Sequence, residues 1–152
     1  MLSKSEIFGF ESPEKYKKPV AYFSMEFAIN QALKIYSGGL GFLAGSHMQS
    51  AYTIKQNLVG IGMLWKYGYY DQVRGTDGTM KVDYVQKYYS FLTDTKIVFP
   101  VIVHGATVYV KAFLLKPSVF NSAPIFLLST DIDQNDAISR TITHNLYDAN
   151  ES

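Results

Sequence analysis

An α/β fold organised around a partly parallel sheet is what this 152-residue sequence predicts, and three features predict it. The first is a strand–loop–helix–strand succession between Val20 and Trp65. The second is a pair of β-rich runs joined by His104-Gly105-Ala106. The third is a short apolar run at Ile125 to Ser129, suited to a buried strand that rejoins the sheet. With 47% hydrophobic residues the chain can bury one core, and its length favours one domain.

Taken in order, residues 1–18 read as an irregular or briefly helical N-terminal arm, and Pro19 marks entry into the first strand, where its missing N–H is tolerable. Val20 to Met25 is a continuous apolar run, the pattern of a strand covered on both faces. From Gly39 to Lys55, Leu40, Leu43, Ala44, His47 or Met48, Ala51 and Ile54 recur at steps of three and four, predicting a helix that buries this face, with Ser37 as N-cap and Asn57 as its end. Leu58 to Trp65 returns as a second strand in which Gly60 and Gly62 invite close packing. Strand, helix and strand form the building block of a doubly wound, Rossmann-like sheet.

The pattern then changes. Gly75-Thr76-Asp77-Gly78-Thr79 is a turn cluster, and Val82 to Phe91 alternates with tyrosines as an exposed strand or strand pair would. Ile97 to Val103 and Thr107 to Leu115 predict a hairpin. An antiparallel insertion over about 75–120 is therefore expected within a partial Rossmann-like domain covering 19–152. The tail is polar, with a helical hint at Asp136 to Thr143.

Composition excludes several classes. Fourteen Lys and Arg against thirteen Asp and Glu leave a formal charge of +1 without a basic block, which argues against a nucleic-acid partner. The absence of cysteine removes disulfide frameworks and thiolate metal sites, and His47, His104 and His144 are too dispersed to suggest a metal. Each histidine reads as structural or superficial, and no nucleophile motif supports a Ser-His-Asp arrangement. No signal-like or membrane-length apolar run is present, so the expected localisation is cytoplasmic, with no membrane partner.

The functional signal lies in Ser24-Met25-Glu26-Phe27, Tyr36-Ser37-Gly38-Gly39-Leu40-Gly41 and Tyr67-Gly68-Tyr69-Tyr70-Asp71-Gln72. A glycine pair at a helix mouth lets first-turn amides, which lack intrahelical partners, approach an anion closely. A tight strand-to-helix turn is the structural alternative. Glu26 reads either as a site carboxylate or as an outside cap on the positive end of the helix.

Together the three segments resemble the N-terminal part of the α-glucan (glycogen, starch and maltodextrin) phosphorylases, over about residues 19–150. That family's proteins are several times longer and have two Rossmann-like halves of the GT-B type. The resemblance implies a glycosyltransferase that transfers the terminal α-1,4-glucosyl unit of a glucan to inorganic phosphate, giving glucose 1-phosphate with the help of pyridoxal phosphate. It implies that Gly38, Gly39, Leu40 and Gly41 cradle phosphate or cofactor phosphate, and that Glu26, Leu40 and Leu43 border the substrate site. The Schiff-base lysine belongs to the other half of such proteins and has no counterpart here. No catalytic residue is therefore assigned, and the isolated chain is expected to be inactive and to hold no cofactor. Ala28 stands where the longer animal enzymes have a cofactor-touching tyrosine, which places the sequence nearer the shorter bacterial and archaeal branch. Asn145 stands in place of an arginine in a His-Arg-Leu-Tyr-like segment at His144 to Tyr147.

Two other readings remain at this stage. Glycogen and starch synthases share a GGL turn but carry a lysine two residues before the glycine pair, where this chain has Tyr36. A non-catalytic glucan-binding or assembly module is the second. A truncated sheet would expose an edge and an apolar face, so a homo-oligomer is expected of the isolated chain.

Overall fold

The computed structural model describes residues 2–147. Its elements are α1 (Lys4–Phe8), a 3₁₀ turn (Glu14–Tyr16), β1 (Val20–Phe23), α2 (Gly39–Thr53), β2 (Leu58–Met63), β3 (Asp71–Arg74), β4 (Met80–Asp83), β5 (Thr93–Val103), β6 (Ala106–Leu115), α3 (Pro117–Phe120), β7 (Ile125–Ser129) and α4 (Ala137–Thr141). Five strands form one mixed sheet in the order β1-β2-β7-β6-β5. β1, β2 and β7 are parallel, while β6 runs antiparallel to both β7 and β5.

The predicted hairpin forms, with His104 and Gly105 both at positive φ, as a tight two-residue turn requires. It is hydrogen-bonded into the main sheet through the pairing of Lys111–Leu115 with Ile125–Ser129, so it extends the sheet beyond β7. The separate two-stranded ribbon is β3-β4, closed by a turn in which Gly78 has φ 83° and Asp77 accepts from the Thr79 amide and hydroxyl. Of the exposed strand or strand pair expected over Val82 to Phe91, only Val82 and Asp83 lie in a strand, at the end of β4. Beyond it Tyr89 packs against the core and accepts a hydrogen bond from the Lys34 amide at 3.0 Å, while Tyr88 is exposed.

The core lies on one face of the parallel strands. Phe27, Leu33 and Ile35 from the β1–α2 connection join Met48 of α2, Leu58 of β2 and Ile125 and Leu127 of β7, all essentially buried. Glycines permit the close approach: a Cβ on Gly60 would stand 2.9 Å from Met48 Cε, and one on Gly62 2.8 Å from the Phe27 ring. The opposite face of these strands is only half-buried at Ile61, Met63, Phe126 and Leu128. β1 is an edge strand, and Phe23 is 72% exposed, so the expected burial on both faces does not hold. An apolar run looks the same whether its cover comes from nearby chain or from polypeptide elsewhere.

α2 also departs from expectation. Its buried face is Gly41, Ala44, Gly45, Met48 and Ala51, while Leu40 and Leu43 are 49% and 67% exposed and Ile54 lies on the surface. The helix lies so near the backbone of Ala28 that only the small residues fit beneath it; a Cβ on Gly45 would stand 2.1 Å from the Ala28 carbonyl oxygen. The helix stops at Thr53, before Asn57, because Lys55 turns left-handed at φ 55°. The N-terminal arm docks on its far end, where the Phe10 ring meets Tyr52 edge-on at 5.9 Å.

Candidate functional site

The segment after β1 folds back over the first turns of α2. The Ser24 hydroxyl donates to the Glu26 carbonyl at 2.7 Å, and Trp65 Nε1–H donates to the Met25 carbonyl at 2.9 Å. The Ala28 amide donates to the Gly41 carbonyl at 2.9 Å, tying the corner to the helix. Glu26 is thereby carried beneath the mouth of α2, where it is 1% exposed.

Its carboxylate is satisfied on both oxygens. Oε2 accepts from the Ser37 amide at 2.8 Å and the Gly38 amide at 3.3 Å; Oε1 accepts from the Ser37 hydroxyl at 3.0 Å and the Tyr147 hydroxyl at 2.5 Å. Burial pushes the Glu26 carboxyl upward, but these donors, the Ser37 amide foremost, outweigh it and hold the group below its ordinary value. The same hydrogen bond raises the Tyr147 hydroxyl. Gly41 makes room for the carboxylate, since a Cβ there would stand 2.8 Å from Oε2 and 2.6 Å from Tyr36 Cβ.

This arrangement redistributes the predicted roles. Ser37 is not the N-cap; Gly38 is, without a side-chain bond, and the Ser37 hydroxyl is directed to Glu26 instead. Gly38 spends its amide on Glu26, and Gly41 faces inward. Gly39 and Leu40 begin the helix, where N–H groups have no intrahelical acceptor. A Cβ on either Gly38 or Gly39 would meet nothing within 4 Å among the described residues, so none of their atoms accounts for the glycine pair. Leu40 and Leu43 are exposed beside this mouth, as is Phe42, whose ring lies 5.5 Å from Tyr36.

The Tyr69 and Tyr70 rings lie 4.1 Å apart, tilted by 39°, and Tyr69 meets the Tyr147 ring edge-on at 6.3 Å, which brings the Tyr67–Gln72 segment beside the Glu26 anchor. Tyr147 was missed by sequence reasoning: it lies 121 residues from Glu26, and no local spacing links them. The histidines lie elsewhere. His47 rests on Tyr22 at 4.8 Å, His104 occupies the hairpin turn, and His144 Nε2 is 3.8 Å from Asp131, which also pairs with Lys66 at 2.8 Å. Among the described residues no group of three His, Asp or Glu side chains is placed to hold a metal, and no helix is long and apolar enough to cross a membrane.

Comparison with known proteins relates the chain to phosphorylases. The chain is 35% identical over 158 aligned residues to the maltodextrin phosphorylase of Thermococcus litoralis, covering 98% of this chain and 18% of that protein. It is 34% identical over 136 residues to a glycogen phosphorylase of Mycobacterium tuberculosis, covering 84% of this chain and 16% of that one. Over this segment the chain is related to the maltodextrin and glycogen phosphorylases. It is also 60% identical over 133 residues to the uncharacterized protein MJ1631 of Methanocaldococcus jannaschii, covering 88% of this chain and 26% of the relative. No family model matches the sequence. The chain thus spans 16–26% of the length of these relatives.

Proposed function

We propose that this chain is the segment of an α-glucan phosphorylase that presents helix-mouth amides to phosphate during glucosyl transfer from a glucan such as glycogen or maltodextrin to inorganic phosphate. The observation that carries this reading is the unobstructed Gly38-Gly39 backbone at the N-terminus of α2, in a chain related to phosphorylases. The positive end of the 15-residue helix and the first-turn amides favour a phosphate oxygen, and the missing Cβ atoms allow contact at hydrogen-bond distance. Glu26 acts beneath the turn: by binding the Ser37 and Gly38 amides it fixes the direction of those that follow.

In this reading the anion-facing donors are the Gly39 and Leu40 amides, with Gly38 and Gly41 shaping the turn. The exposed Leu40 and Leu43 side chains offer apolar surface to a sugar ring. The open glycine backbone fits the phosphate side of pyridoxal phosphate. When bound in such an enzyme, that group supplies a phosphate able to give and take a proton at the substrate phosphate. What this chain contributes is positioning: fixed dipoles that need no reorganisation as charge develops. A GT-B arrangement, with this sheet as part of the first Rossmann-like half, and a cytoplasmic setting belong to the same proposal.

The test is Gly39→Val, introduced at the matching position of a phosphorylase-length relative. Cβ branches placed over the amides should lower glucose 1-phosphate formation about 100-fold or more, the typical cost of a lost positioned donor. Thermal stability should change little, because the position is open. Unchanged turnover would show that the turn is structural only.

A further inference from the structure

The carboxyl ends of the adjacent parallel strands β2 and β7 open on a second concave site. Leu64, Trp65 and Lys66 follow β2 directly, Ser129 ends β7, and Asp131 lies just beyond it. In open α/β sheets this end is where the turns leaving the strands make room for a ligand. The segment Gln86 to Tyr89 forms the outer wall. It is pinned by the Lys87 amide, which donates to the Lys66 carbonyl at 2.8 Å, and by the Tyr89 hydroxyl, which accepts from the Lys34 amide. These residues enclose a cavity of about 250 Å³. None of them lies in α2 or in the Ser24–Phe27 corner.

Charge in the lining is balanced. Lys66 Nζ stands 2.8 Å from Asp131 Oδ2, and Lys87 donates to the Asp71 carboxylate and, at 3.0 Å, to the Val85 carbonyl. Two ammonium groups thus meet two carboxylates, which leaves no net charge to select an anion or a cation. An ammonium has three N–H donors, so both lysines keep donor capacity beyond these bonds. Aromatic surface completes the cavity. Phe113 and Tyr89 are partly buried in its wall, whereas Tyr88 is 81% exposed at the rim.

We propose that this cavity binds one neutral pyranose ring, at a place separate from the α2 mouth. A sugar hydroxyl is donor and acceptor at once, so neighbouring hydroxyls can span the Lys66–Asp131 pair, one accepting from the ammonium and the next donating to the carboxylate. A phosphate ion there would meet Asp131 as well as Lys66, and a metal ion Lys66 as well as Asp131; like charge disfavours both. The C–H face of the ring would lie against Tyr88, whose ring supplies rigid amphipathic surface. At about 30 Å³ per displaced water the cavity has room for roughly eight waters, enough for one sugar ring and too little for a run of them. The proposal is independent of the anion-binding role of α2.

Trp65 is the single tryptophan of the chain and lines the cavity, so its fluorescence reads the site. The 152-residue chain is titrated with D-glucose and with methyl α-glucoside, with sorbitol and inorganic phosphate as controls, while nuclear magnetic resonance follows the backbone amides. The expected result is a saturable change in Trp65 emission and in the Lys66, Lys87 and Asp131 amides, with a dissociation constant of about 1–10 mM, the range open to a ligand of this size. Tyr88→Ala, at an exposed position, should keep the melting temperature and weaken binding about 10-fold. Asp131→Asn, which removes the charge from one acceptor, should weaken it by about as much. No saturable response in either readout overturns the proposal, as does unchanged affinity in Tyr88→Ala. An equal response to sorbitol, which would mark an adventitious additive only, or a response to phosphate without one to sugar, overturns it too. Amide shifts confined to Gly39–Leu43 would move the sugar to the α2 mouth and likewise overturn it.

Discussion

Replacing Glu26 with glutamine isolates the interaction on which the α2 mouth depends. The wild-type carboxylate accepts four hydrogen bonds, two from backbone amides and two from hydroxyls, while 1% exposed. Glutamine keeps the size but turns one oxygen into an NH₂ donor. That group must face either the Ser37 and Gly38 amides or the Ser37 and Tyr147 hydroxyls. Hydroxyls can rotate to accept and amides cannot, so the carbonyl should face Ser37 and Gly38. The charge assistance is then lost from every bond, and charge-assisted bonds are about twice as strong as neutral ones. A loss of about 2–3 kcal/mol follows, from net values of roughly 1.5–3 kcal/mol for a bond to a charged group and about 1 kcal/mol for a neutral one, allowing for partial relaxation. In a chain of this length that corresponds to a melting temperature lower by about 5–10 °C.

The pH dependence provides a second readout. The Glu26 pKa lies below its ordinary value of 4.5, so its contribution is complete above that value and disappears as pH falls through the depressed one. Stability measured by circular dichroism from pH 7 to pH 2 should therefore fall more steeply in the wild type than in Glu26→Gln, and the two curves should converge in acid. The difference between them removes the shared contributions of Asp94 and Asp131, whose pKa values are also lowered. Parallel curves with equal melting temperatures would refute the argument that Glu26 anchors the turn.

Other substitutions probe the same architecture. Gly45→Ala should cost about 3 kcal/mol or more in chemical denaturation, because its Cβ would stand 2.1 Å from a backbone oxygen that cannot move independently. Gly39→Ala, in open space, should fall within about 1 kcal/mol of the wild type and can be stabilising. Tyr89→Phe removes the acceptor of the Lys34 amide and should cost about 1 kcal/mol. In ultraviolet titration of the wild type, burial, which pushes the Tyr89 hydroxyl up to about 12, should delay one tyrosine, and that late step should vanish in Tyr89→Phe. The 152-residue chain alone should show neither a reducible pyridoxal adduct nor glucose 1-phosphate release from maltodextrin; stoichiometric adduct or turnover would contradict the assignment of that chemistry to polypeptide beyond this segment.

The local features that determine elements were legible in the residue order. The β1–α2–β2 unit, the hairpin at His104-Gly105, the return of β7 to the parallel sheet and the short helix after Asp136 all rest on periodicity and turn chemistry acting within a few residues. The glycine turn and its family resemblance were legible for the same reason, since the motif is contiguous. Only the tertiary structure decided which side of each element meets what. Leu40 and Leu43 carry the helical period of a buried face, yet Gly41 and Gly45 lie inward because Ala28 and Glu26 come too close for a larger residue. Glu26 read equally well as a site carboxylate or a cap; the Ser37, Gly38 and Tyr147 donors make it an anchor beneath the turn, and one of those arrives from 121 residues away. β1 read as doubly covered and stands at a bare edge. Hydrophobicity along a strand records that a face will be covered, whereas the identity of the cover depends on which segments the folded backbone brings together.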